Sequence, residues 1–91
     1  MSQVAHWESE ACRVAAAFRL GSYMQAGDAL ADLVRQIAAA SGAGSADRQA
    51  ELAVILEALL ACHKRDDWLG VADYLQFELV DWLHRPELPA P

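Results

Sequence analysis

The chain matches itself at an offset of 45 residues, and a self-match narrows the choice of fold more than any single motif does. Gly21-Ser22-Tyr23-Met24 falls on Asp66-Asp67-Trp68-Leu69, Arg19 on Lys64, Asp28 on Asp73 and Leu30 on Leu75. Each match has a physical role at a helix-to-helix turn. A residue ends one helix, a polar residue caps the next, an aromatic sits on its first turn, and an apolar seam follows. A cation at 19 and at 64 complements the dipole of the helix that is ending. A duplication and two independent solutions of one αα-hairpin both produce this pattern, and both predict two antiparallel helical hairpins.

Apolar periodicity gives each hairpin its two helices. Val4, Trp7, Ala11, Val14 and Phe18 step by three and four, with Ser2 as N-cap and Gly21 as stop. Tyr23, Ala26, Leu30, Leu33 and Ile37 form a second seam, with Ser22 at its cap position. Ser41-Gly42-Ala43-Gly44-Ser45 is the best loop signal. Leu52, Ile55, Leu59 and Cys62 make a third seam, which Val54, Leu56 and Leu60 widen enough to suggest a central helix. Asp66 or Asp67 caps a fourth, through Trp68, Val71, Leu75, Leu79 and Trp82, which should end before Pro86. The expected fold is therefore all-α, a small four-helix bundle. Its single domain spans 1–85: hairpin one 2–40, loop 41–46, hairpin two 47–85, then an extended tail 86–91.

Composition agrees. Ninety-one residues at 55% apolar have room for one core, and the absence of Thr and Asn beside abundant Ala and Leu is a helical alphabet. A net charge of −6 without a basic patch argues against nucleic acid. The most apolar run, Leu52 to Cys62, is interrupted by Glu57 and falls well short of the roughly 20 residues a membrane span needs. No membrane insertion is expected. The opening residues carry neither the basic region nor the apolar stretch of a secretory signal, which favours a cytoplasmic protein with Cys12 and Cys62 as reduced core thiols.

The residues that could carry chemistry are scattered. His6 and Glu10 share a helix face, but a metal site needs three or four ligands. Asp81 and His84 stand alone, without the paired Glu-x-x-His of di-iron bundles. Cys62 and His63 are adjacent, so their side chains point about 100° apart, and His63 reads as a helix-end cation. No nucleotide-binding glycine pattern or nucleophile elbow is present. No catalytic residue, metal ligand or cofactor is expected. Asp28 and Asp73, at equivalent positions inside their helices, could bind the turn of the other hairpin or an arginine such as Arg19 or Arg65.

The fourth helix is apolar on two sides. Tyr74, Phe77 and Val80 lie away from its seam, and together with Trp82 they are the candidate partner-binding residues. Burying such side chains contributes on the order of 1.5–3 kcal/mol each. That would support a bound partner helix or a homodimer, and the acidic charge would favour partners with basic rims. The stretch from Lys64 through Asp66-Asp67-Trp68 and Ala72-Asp73 to Glu78-Leu79 resembles a segment of small flagella-associated helical proteins of bacteria. The layout is similar to the flagellar type III export chaperones of the filament-cap class. The resemblance implies an export chaperone or adaptor that keeps a secreted subunit soluble. The competing expectation is a self-associating structural or regulatory subunit with no client.

Overall fold

The computed structural model describes residues 3–41 and 45–85. The expected N-cap Ser2, the heart of the interhelical loop and the tail 86–91 lie outside the described residues. Four helical rods account for the fold: α1 (Gln3–Arg19), α2 (Tyr23–Ser41), α3 (Ala46–Lys64) and a fourth rod in three segments. The fourth starts as α4 (Trp68–Asp73), continues as a π-helix, π1 (Tyr74–Leu79), and finishes as α5 (Val80–His84). The loop is shorter than the expected 41–46, because α2 runs to Ser41 and α3 starts at Ala46. Ser45 makes that early start favourable, its hydroxyl accepting the Arg48 N–H at 3.1 Å.

The two hairpin turns are built alike. After α1 the Ser22 N–H donates to the Ala17 carbonyl and Gly21 N–H to Phe18; after α3 the Asp67 N–H donates to Cys62 and Asp66 N–H to His63. Both are helix-terminating motifs with a left-handed residue after the helix, Gly21 at φ 88° and Asp66 at φ 58°. The next residue then opens the following helix, and Asp67 caps α4 by accepting the Gly70 N–H at 3.0 Å. Gly70 is needed for this packing: a Cβ there would stand 2.8 Å from the Asp67 Cγ and 2.9 Å from the Cys62 Sγ.

The turns meet at one end of the molecule. Tyr23 stacks on Trp68 with ring centroids 4.6 Å apart. Phe18 also stacks on Trp68, at 5.9 Å, and His63 meets both Phe18 and Trp68 edge-on. The four rings are two pairs at the offset of 45, so the equivalent parts of the hairpins pack on each other. His63, expected as a helix-end cation, is in the last turn of α3 but uses its ring in this cluster.

Below this knot, the buried residues follow the seams. Trp7, Ala11, Val14 and Phe18 of α1, Ala26, Leu30, Leu33 and Ile37 of α2, and Leu52, Ile55, Leu59 and Cys62 of α3 form one core with the fourth rod. The central helix is α1, not α3 as the width of the third seam suggested. α1 packs on α2 and along all three segments of the fourth rod, whereas α3 packs mainly on the fourth rod and leaves Val54 and Leu60 exposed. Fully buried Ala11, Ala15 and Ala72 let α1 and α4 approach closely. Cys12, expected in the core, is exposed; only Cys62 is buried.

The π-helix was not foreseen. α2 buries Ala26, Leu30, Leu33 and Ile37, and in the fourth rod the equivalent run begins as Val71 and Leu75 but continues as Leu79 and Leu83. Glu78, the counterpart of Leu33, faces solvent. The fourth rod thus fits one extra residue between its second and third core contacts, and i→i+5 bonding is how a helix absorbs one. The α-helix stops at His84, and Arg85, whose ψ of 125° is extended, has the backbone that a residue before proline favours.

The strain at the two turns differs, which a denaturant titration can measure. Gly21→Ala should lose about 1 kcal/mol by forcing a Cβ into the left-handed region. Asp66→Gly should gain about 0.5 kcal/mol, partly offset by the freer unfolded chain.

Candidate functional site

A shallow groove runs between α3 and π1, enclosing about 480 Å³. Val54, Ile55 and Ala58 form its α3 wall; Asp73, Tyr74, Phe77 and Glu78 form the other. The spacing explains the lining, because Val54 and Ala58 are one turn apart on α3, as are Asp73 with Phe77 and Tyr74 with Glu78 on the facing rod. Its floor is core, since Ile55 is buried, while Phe77 is 58% and Val54 66% exposed. Two large apolar side chains left in water beside a concave apolar strip are the kind of surface that binds partners.

The four expected contact residues separate here. Tyr74 is half-buried in the groove wall and Phe77 stands open in it. Val80 is partly buried against the core, on the following turn. Trp82 does not belong with them: at 3% exposure it is a core residue and offers no surface to a partner. Its indole N–H donates to the Arg48 carbonyl at 3.1 Å, while the Arg48 guanidinium donates to the Trp82 carbonyl at 2.7 Å and lies 4.0 Å over its ring. With its one polar atom satisfied and a cation on its face, a tryptophan can be buried near a helix end. The sequence signal for this was already present in the seam through Trp82, which the two-sided reading of the helix overrode.

Val54 and Ala58 were missed as site residues because the third seam was read as central and therefore covered. Glu78 was missed because nothing in the sequence marks a π turn. Asp73, singled out by the repeat, does reach an arginine. Arg19 of α1 donates to its carboxylate at 2.9 Å and also to the Gln76 amide oxygen, joining the two hairpins at the groove's edge. Asp28, its equivalent, has no such partner among the described residues.

Comparison with known proteins leaves these residues to speak for themselves. No family model, no curated protein and no solved structure matches the chain.

The remaining charged groups are distributed over the surface. Among the described residues no three His, Cys, Asp or Glu side chains converge on a point that could hold a metal, and no helix is long and apolar enough to cross a membrane. His84 pairs with Glu8 at 2.8 Å and Arg85 bridges Glu51 and Asp81. Asp32 pairs with Arg35, three residues on along α2. Glu10 pairs with Arg13, whose hydrogen bond holds the Glu10 carboxyl below its ordinary range. The Cys62 thiol lies 3.4 Å from the Arg65 guanidinium under the second turn. Leu20, Met24 and Leu69 are further exposed apolar side chains, carried by the two hairpin turns.

Placing Trp82 in the core makes a measurable distinction. Trp82→Ala should cost about 3–5 kcal/mol in urea unfolding, the range for truncating a buried aromatic, whereas a surface contact would cost less than about 0.5 kcal/mol. Arg48→Ala combined with Trp82→Phe should be non-additive, because both remove the same clamp.

Proposed function

We propose that this protein is a non-enzymatic protein-binding module whose groove between α3 and π1 receives an apolar helix of another protein. The observation that supports this is Phe77, a large aromatic left mostly in solvent at the lip of a concave strip whose floor is already core. A partner helix laid there would cover Phe77, Val54 and Tyr74, and since each is already partly buried, covering the rest would contribute less than the roughly 1.5–3 kcal/mol of a fully exposed side chain, before ordering costs. α3 lies at the edge of the bundle, so a fifth helix can lie beside it without displacing another element.

The suspected setting is an export chaperone or adaptor of a flagellar or related type III secretion component in the cytoplasm. What supports that setting is the resemblance of residues 64–79 and of the acidic all-helical layout. The groove wall from Asp73 to Glu78 lies inside that stretch.

Capture from a native-host lysate with Phe77→Ser beside the unaltered bait tests the site. The substitution touches an exposed residue, so the circular dichroism melt should stay within a few degrees. The unaltered bait should retain one stoichiometric partner, and Phe77→Ser should lose it. Retention of the same partner by both baits would place the binding surface elsewhere. If the unaltered chain instead scatters light as a dimer, Phe77→Ser scatters as a monomer and neither retains anything, the groove binds a second copy of this chain.

A further inference from the structure

Two carboxylates stand on the groove wall, and the structure treats them differently. Asp73 is held by Arg19, which donates to it at 2.9 Å and to Gln76 beside it. Arg19 comes from α1, in the other hairpin, so this cation belongs to the protein and meets the wall from outside the groove. Glu78, one turn on from Tyr74, has no ion-pair or hydrogen-bond partner among the described residues. The wall therefore shows an incoming partner one neutralised carboxylate and one free one, separated by the apolar surface of Tyr74 and Phe77.

We infer that Glu78 is the specificity-determining residue of the groove, selecting an amphipathic helix that carries a lysine or arginine beside its apolar stripe, and that Arg19 masks Asp73 as a second cation site. This rests on the groove reading above. The charge complementarity is direct: Asp73 and Glu78 are the charged side chains lining the groove, both acidic, in a chain of net charge −6. A partner with acidic flanks would meet Glu78 and the long-range field with the same sign. A partner with a cation in register gains a pair at Glu78, and a second only by displacing Arg19. Masking predicts an inversion that a merely supportive salt bridge does not: removing the Arg19 cation while keeping Asp73 should improve binding.

The probes are two synthetic amphipathic peptides of roughly 18 residues, long enough to hold a helix, with one leucine stripe flanked by lysines or by glutamates. Fluorescence anisotropy of each against the folded protein gives the affinities at low and moderate salt. The lysine-flanked peptide should bind more tightly. For it, Glu78→Gln should weaken binding roughly three- to fivefold, the upper part of the range for exposed charge pairs. Arg19→Gln, which uncovers Asp73, should strengthen binding by roughly the same three- to fivefold, and Asp73→Asn, which leaves the Arg19 cation unpaired outside the groove, should weaken it by less than Glu78→Gln does. Double substitution at Arg19 and Asp73 should return the affinity to the starting value. The proposal is overturned if Asp73→Asn weakens binding as much as Glu78→Gln, if Arg19→Gln fails to strengthen it, or if the peptides bind equally or not at all. Phe77→Ser separates the two levels. If it abolishes peptide binding while the charge variants do nothing, the groove stands and the charge assignment falls. If it leaves peptide binding intact, the groove itself is misplaced.

Discussion

Tyr23 on Trp68, with Phe18 also stacked on that indole and His63 edge-on, is the contact on which the arrangement of the two hairpins depends. Each hairpin is specified locally, by a left-handed residue, a cap and a seam. Nothing local says how one hairpin lies on the other. The rings do, because each sits within a turn of the reversal it serves and meets its equivalent across the junction. Aromatic pairs of this kind contribute about 0.5–1.5 kcal/mol beyond their buried area. Their larger effect is geometric, since fixing the turns together aligns α1 along the fourth rod and leaves α2 and α3 on the outside. The edge position of α3, and hence an open flank beside it, follows from that alignment.

The π segment has a related consequence. In α2 the core residues follow one another at α-helical spacing, and in the fourth rod the same series is stretched by one residue. Had the chain stayed α-helical, Leu79 and Leu83 would have rotated away from the core that Val71 and Leu75 enter. Widening the helix keeps all four inside, and the residues passed over, Phe77 and Glu78, are turned out against the flank of α3. The irregular turn and the groove occupy the same residues because one creates the other.

Much of this was legible in the sequence. The seams named most of the core, and Gly21 was placed as a helix stop by its chemistry alone, because local backbone preferences act through nearest neighbours; Asp66 and Asp67 were both offered as the cap of the fourth helix, a role that falls to Asp67. Asp73 was singled out by the repeat and does meet Arg19. The central role of α1 was not legible. Alanines at 11 and 15 carry little hydrophobic signal, yet it is their smallness that lets another helix come close, while the richer α3 keeps Val54 and Leu60 in water. Nor was the π turn, since the offset match ends at Leu30 and Leu75, the last pair before the extra residue. Trp82 was legible as core from its place in the fourth seam, but its clamp was not, since it depends on Arg48, 34 residues away, supplying both a hydrogen-bond acceptor and a cation.

Both reversals lie at one end, so the other end gathers everything else: the start of α1, the end of α5, the end of α2 and the start of α3. Glu8 and His84 touch there, and Arg85 reaches Glu51. The order in which the hairpins follow each other along the chain is consequently independent of how they pack. A permuted chain that begins at Ser45, joins the segment after Arg85 to the one before Gln3 and finishes at Ser41 would keep every ring contact and the full groove. Handles or fusion partners attached at that end extend away from the aromatic knot, so the hairpin pair can be displayed or tethered by it with its opposite pole untouched.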